Sequence, residues 1–120
     1  MKGFKDLIVY QKAFALAMDI FEITRKFPRE ETYSLIDQIR RSSRPVCGCV
    51  AESYRKRKYP AHFVSKLTDA DMESSKTTIW IDFSLLCKYI AQQDHISLLE
   101  KNEEVGRILG DMIKNPGKFL

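Results

Sequence analysis

Apolar residues recur along this chain with the spacing of helices, and nothing alternates with period two for long enough to propose a strand. The breaks are sparse and regular: Pro28, Pro60, the polar Gln92-Gln93-Asp94 stretch, and Asn115-Pro116-Gly117. They leave four segments, each long enough for a bundle helix. The first is expected from Phe4 or Lys5 to Arg25 or Lys26. On it Leu7, Tyr10, Phe14, Ala17, Met18 and Phe21 form one stripe, and Ala13, Leu16, Ile20, Ile23 and Phe27 form a second beside it. Only a narrow strip with Lys12, Asp19, Glu22 and Lys26 is left for water. That arc is wider than one bundle core needs, so the second stripe (Ala13, Leu16, Ile20, Ile23) is assigned to an oligomer interface.

The second helix is expected to start between Glu30 and Ser34, with Glu30 and Glu31 at its positive end. Its core stripe is Leu35, Ile36, Ile39, Val46, Val50 and Tyr54. Pro45 lies inside the pattern and predicts a kink. The third helix opens with Pro60 in its first turn and is expected to continue to about Ala91. Its ends are apolar, but its centre, TDADMESSKTT, is almost wholly polar. The fourth, with Asp94 as its cap, runs to about Lys114 and is expected to bury Ile96, Leu99, Ile108, Leu109, Met112 and Ile113. The pattern predicts an all-α, up-down antiparallel four-helix bundle with a kinked second helix, one domain over residues 1–120.

Composition narrows the picture without changing it. Of the 120 residues 44% are hydrophobic and 30% charged, the balance of a water-soluble globular chain. No apolar run approaches the ~20 residues that span a bilayer, and the N-terminus has no signal-peptide pattern. The expectation is a cytoplasmic protein with no membrane partner. Three cysteines make no disulfide framework. Cys47 and Cys49, two apart on a helix, point to nearly opposite sides and cannot share a metal. Cys87 sits in an apolar stretch that suggests an inert core thiol.

Enzyme chemistry finds little to stand on. The Glu-x-x-His pairs of di-metal bundles are missing, since Tyr59 and Gln92 stand three before His62 and His95. Phosphate loops, nucleophile elbows and zinc-protease motifs are absent too. A non-enzymatic protein without metal or cofactor is expected.

Charge is where the chain departs from blandness. Segment 29–58 holds eight basic residues against four acidic ones, a balance equal to the +4 of the whole chain. Segment 69–82 holds four acids against Lys76. One consequence is internal. Arg40 and Arg41 would lie level with the acidic centre of the third helix, so Arg40, Arg41, Glu52, Asp69, Asp71, Glu73, Thr77 and Asp82 are expected to form a buried polar network that sets register. The other is external. Arg44, Tyr54, Arg55, Lys56, Arg57 and Lys58 interleave cations with an aromatic ring, which suits a nucleic-acid backbone with a stacked base. The rival is a protein-interaction scaffold, in which the same arginines serve salt bridges or subunit contacts.

The runs FKDLIVYQKA, FPREETYSLIDQIRRSS and AES, with KLTDADMESSKTTIWIDFSLLCKYI in the third helix, resemble the 23S rRNA intervening-sequence protein family over nearly the whole chain. A relative of that family is the accessory factor of diversity-generating retroelements, which binds nucleic acid and a reverse transcriptase. The resemblance implies an up-down four-helix bundle, often assembled as a ring of five subunits, with no known enzymatic activity. It therefore implies self-association but supplies no molecular function; RNA or DNA is the partner expected from the basic face of the second helix, and a protein is the partner on the rival scaffold reading. Its pattern falls on Gln38, Arg40, Arg41, Ala51 and Glu52, and on Asp69, Asp71, Glu73, Thr77, Trp80 and Asp82. This chain departs from it at Cys47 and Cys49, where proline and asparagine are usual. It departs again at Ser53 and Met72 (glycine), Lys76 (an acid) and Arg44 (apolar or small). The departures add positive charge to helix two.

Overall fold

In a computed structural model that describes residues 3–120, the four expected segments are helical: α1 (Ile8–Thr24), α2 (Leu35–Arg55), α3 (Pro60–Leu86) and α4 (Gln92–Lys114). No strand occurs among the described residues. Each helix packs on two others, α1 on α2 and α4, and α3 on α2 and α4, so the four close into an up-down antiparallel bundle. The bundle measures 45 × 24 × 22 Å, its long axis set by α3, whose 27 residues span about 40 Å at the helical rise.

The ends differ from expectation for local reasons. A 3-10 turn over Phe4–Asp6 and an extended Leu7 precede α1. α3 stops at Leu86, short of Ala91, because Lys88 adopts a left-handed conformation (φ 65°). The Tyr89 N–H then reaches back to the Ser84 carbonyl at 3.0 Å, closing the helix end. At α4 the cap position falls to Ala91, and Asp94 sits three residues later, accepting from the Ala91 N–H at 3.3 Å. α2 runs unbroken through Pro45, although that residue has no N–H to give the Arg41 carbonyl.

The core is divided in two. The lower half gathers Val9, Ala13, Val46, Val50, Phe63, Leu67, Val105, Leu109 and Met112; the upper half gathers Leu16, Ile20, Phe27, Leu35, Ile36, Ile39, Ile81 and Leu98. Between them lies a layer of buried polar side chains: Ser42 and Ser43 of α2, Ser74 and Thr77 of α3, and Asn102 of α4. The Ser42 and Thr77 hydroxyls share a hydrogen bond of 2.8 Å. Asn102 donates to the Ser74 carbonyl (2.9 Å) and the Thr78 hydroxyl (2.8 Å), and accepts from the Ser74 hydroxyl (3.2 Å). Small hydroxyls suit this position because they can also return a bond to their own helix, as Thr77 does to the Glu73 carbonyl at 2.9 Å. The polar centre of α3 thus points Ser74 and Thr77 inward, while Asp69 and Asp82 are exposed and Asp71 and Glu73 half-buried.

Candidate nucleic-acid interface

At the lower end of the bundle α2 terminates in a run of cations. The Lys56 N–H closes the helix on the Glu52 and Ser53 carbonyls, and the chain then turns toward Pro60. The N-terminal turn folds over the same end, bringing Lys5 beside residues some fifty positions away. Together they enclose a cleft of about 820 Å³ lined by Phe4, Lys5, Asp6, Tyr54, Arg55, Arg57 and Lys58, with Gly3 and Leu120 completing it, so that four cations stand against the one acidic side chain. Among the described residues none of Lys5, Arg55, Arg57 and Lys58 is in an ion pair. Arg57 is held in place: its guanidinium lies 3.7 Å from the Tyr54 ring centroid and its Nε donates to the Tyr54 carbonyl at 2.9 Å. Cation–π contact and hydrogen bond together orient a charge that would otherwise swing freely. Four such cations around one concavity focus positive potential. A second, smaller cleft between α1 and α4 carries Lys101 and Lys26 but also Asp19, Glu22 and Asp94, so its acids outnumber its cations.

The structure sorts the expected binding residues. Tyr54, Arg55, Arg57 and Lys58 meet in the cleft; Lys56 does not line it. Arg44 lies three turns up α2, in a second cluster around Phe21. There the guanidinium carbons of Arg40, Arg25 and Arg44 stand 4.8, 5.8 and 5.8 Å from the ring centroid. Arg40 donates through Nε to the Thr24 hydroxyl (3.0 Å) and through Nη2 to the Phe21 carbonyl (3.3 Å). Burial, and then the charges of Arg44 and Arg25, push the Arg40 guanidinium below its ordinary pKa. Lys5 has no signal in the spacing and Phe21 reads only as part of an apolar stripe, since the cations each of them joins are supplied largely by α2.

The expected arginine–carboxylate network does not form. Arg41 is exposed and pairs along its own helix with Asp37 at 3.5 Å. Arg40 turns to α1. Glu73 pairs with Lys76 at 2.9 Å, Lys66 bridges Glu52 (3.1 Å) and Asp69 (3.5 Å), and Asp82 meets His95 at 2.8 Å. Asp71 is half-buried, and Thr77 belongs to the hydroxyl layer. The reason is helical phase: Ser42 faces α3, where its hydroxyl meets that of Thr77, which leaves Arg40 and Arg41 on the flank. Burial of hydroxyls also avoids the desolvation cost that buried guanidinium–carboxylate pairs carry.

The assignment of Ala13, Leu16, Ile20 and Ile23 to a subunit interface is corrected as well. Ala13, Leu16 and Ile20 are buried in the chain's own core and Ile23 is packed against it. Of the other stripe Leu7 and Ala17 are buried too, and what is left outside is Phe14, 51% exposed, and Met18, 46% exposed. Cys87 is exposed, not in the core, whereas Cys47 and Cys49 are partly buried. Burial pushes the Cys47 thiol up to about 11 and raises that of Cys49, the opposite of nucleophile activation. Among the described residues no group of His, Cys, Asp and Glu is placed to hold a metal ion, and no helix is long and apolar enough to cross a membrane.

Comparison with known proteins follows the same lines. A family model described as 23S rRNA-intervening sequence protein matches residues 5–111. Among solved structures, a Bacteroides thetaiotaomicron protein of unknown function from the S23 ribosomal protein family superposes with a TM-score of 0.81 at 23% identity. That match covers 89% of this chain and 96% of the other. At that identity the likeness shows the fold alone. No curated protein matches the chain.

Proposed function

We propose that this chain, which belongs to the 23S rRNA-intervening sequence protein family, is a non-catalytic nucleic-acid-binding protein that takes phosphates in the cleft between α2 and the N-terminal turn. One observation carries the reading: Lys5, Arg55, Arg57 and Lys58 converge on one cleft beside the Tyr54 ring, with no ion pair among the described residues to neutralise them. A solvated charge run would splay. These four converge, which is what a polyanion requires.

The test is binding of RNA and DNA oligonucleotides across a salt series. Changing Lys5, Arg55, Arg57 and Lys58 together to Ser should leave the melting temperature nearly unchanged, because exposed charges add little stability. It should reduce the slope of log Kobs against log salt by about 3, the value for four phosphates at roughly 0.7 each on a single strand. Wild-type binding by that variant, or no binding by the natural chain at low salt, ends the proposal.

A second property rests on α3. Ile79, Phe83 and Leu86 are 49%, 52% and 74% exposed, at spacings of four and three that seat one helix on another. A second copy offers an identical row, so self-association is proposed through α3 and not through Ala13, Leu16, Ile20 and Ile23. Light scattering should give a mass above one subunit that Phe83→Asp lowers. A natural chain of single-subunit mass would favour a different protein as the occupant, and would end the self-association reading.

A further inference from the structure

The cleft is one end of a longer feature. From its Phe4 wall an aromatic series continues up α1: the Phe4 and Tyr10 ring centroids are 5.2 Å apart, those of Tyr10 and Phe14 6.0 Å. Tyr10, Phe14 and Phe21 share one face of α1, since steps of seven and eleven residues return to within about 20° of the same direction. On α2 the same count places Arg44 and Arg55 on one face, with Arg40 within about 60° of it. The two rows meet at both ends: Phe21 touches Arg40 and Arg44 at the top, and Phe4 shares the cleft with Arg55 at the bottom.

Between the two basic ends the α2 face is low. Gly48 is exposed, Ala51 follows it one turn later, and a Cβ added to Gly48 would meet nothing within 4 Å. The upper end also lacks neutralisation. Arg40 is held only by a hydroxyl, a carbonyl and a ring, and neither it nor Arg44 is in an ion pair among the described residues; Arg25 alone of the three has an acid, Glu22 at 3.4 Å. Like charges fixed around one ring repel, and an arriving phosphate relieves that repulsion.

From these observations we infer that the α1/α2 face is a continuous track for single-stranded nucleic acid, with phosphates along α2 from the cleft to Arg40 and Arg44 and bases stacked on Tyr10 and Phe14. The inference rests on the reading of the cleft as a nucleic-acid site, and adds the class of ligand and its length. A single strand is required because base faces must be free to lie on the rings, whereas a duplex keeps them stacked on each other. The fifteen-residue interval from Arg40 to Arg55 is about 22 Å of helix. That accommodates about six phosphates at a stacked spacing of 3.4 Å, inside the usual range of roughly 4–16 nucleotides for such grooves.

The experiment measures fluorescence anisotropy with labelled oligothymidylates of about three and about eight nucleotides, a length pair chosen to fill the cleft alone or the whole track. Two variants test the middle. Gly48→Leu fills open space on an exposed helix face and improves helix propensity, so it should fold while obstructing the track. Phe14→Leu keeps an apolar side chain at a half-exposed position and removes a stacking surface. Each should weaken binding of the longer oligonucleotide about fivefold or more, as loss of one stacked base does, leaving the shorter one and the melting temperature unchanged. If both variants bind the longer strand as the natural chain does, while the quadruple cleft variant fails to, the strand is confined to the cleft and the track is refuted with the cleft intact. A duplex that binds as tightly as the single strand, and equally to Phe14→Leu, refutes the single-strand assignment. No binding of either oligonucleotide by the natural chain at low salt overturns the track and the cleft together.

Discussion

Asn102 is the most exacting point in the fold, because a single side chain in the middle of α4 completes the polar layer between the two halves of the core. Replacing it with alanine removes three hydrogen bonds: two donated by its amide, to the Ser74 carbonyl and the Thr78 hydroxyl, and one accepted from the Ser74 hydroxyl. Buried neutral hydrogen bonds contribute about 0.5–1.5 kcal/mol each, and the void left behind adds to the loss. The expected destabilisation is about 2–4 kcal/mol on that basis. With an unfolding entropy of about 2.1 cal/mol/K per residue, each kcal/mol corresponds to about 4 °C for a chain of this length, so Tm should fall by about 8–16 °C. Arg41→Ala is the comparison. The Arg41 side chain is 78% exposed and its pairing with Asp37 is a surface ion pair, so Tm should move by no more than about 2 °C. Thermal melts followed by circular dichroism read both. A double-mutant cycle with Ser74→Ala should show coupling of about 0.5–3 kcal/mol, as contacting residues do. The reasoning is refuted if Asn102→Ala costs less than about 1 kcal/mol, if its effect simply adds to that of Ser74→Ala, or if Arg41→Ala costs as much.

Three further outcomes are expected. Ile20→Asp buries an unpaired charge at a position with no exposure and should abolish cooperative unfolding at ordinary temperatures; a normal melt with a reduced mass in light scattering would put Ile20 at a subunit contact after all. Lys88→Gly should raise Tm by about 2–4 °C, since glycine relieves the cost of a left-handed φ of 65°, and a lower Tm would show that the lysine side chain contributes more than its backbone costs. The third concerns pH. The Ser34 hydroxyl, then the Tyr89 hydroxyl and the Leu35 N–H, hold the Glu31 carboxyl below its usual range. Its stabilisation is therefore present above the ordinary carboxylate pKa and lost as pH falls through the lower folded value. The hydrogen bond to Glu31, then burial, pushes the Tyr89 hydroxyl up to about 12; that contribution is present below the ordinary phenol value and lost as pH rises toward the folded one. Tyr89→Phe should flatten the melting profile at the alkaline end and weaken its acid limb, and an unchanged profile would show that the 2.7 Å contact between Tyr89 and Glu31 does not persist in solution.

Much of this molecule is written in local pattern. The four helices, their order and their antiparallel course follow from period, length and four breaks. The core stripe of α2 is legible nearly residue by residue, with Leu35, Ile36, Ile39, Val46 and Val50 buried and only Tyr54, at its end, half-buried in the cleft. A helix wheel reports which residues share a face but not the rotation of the helix about its own axis, and the misassigned faces of α1 and α2 came from that missing angle. α1 carries two apolar stripes of similar strength, and the one assigned to a partner faces the core. The pattern predicts Arg40 level with the acidic centre of α3, yet its guanidinium goes to Phe21 and Thr24 because Ser42 occupies the side facing α3. Asn102, unremarked among the polar residues of α4, became the centre of the core only when α3 was laid beside it.

The cleft shows the same division. The run Arg55-Lys56-Arg57-Lys58 announces positive charge in one dimension, and its composition alone determines that this end of α2 will repel itself and attract anions. Whether those charges spread into solvent or converge depends on contacts that no local pattern carries. They converge because the turn Phe4–Asp6 folds back over the end of α2, bringing Lys5 into one cleft with Arg55, Arg57 and Lys58, and because the Tyr54 ring fixes one guanidinium. Period and charge are properties of neighbours along the chain. Convergence is a property of neighbours in space, set by how four amphipathic helices rotate to bury the most apolar surface at once, and only the folded chain decides it.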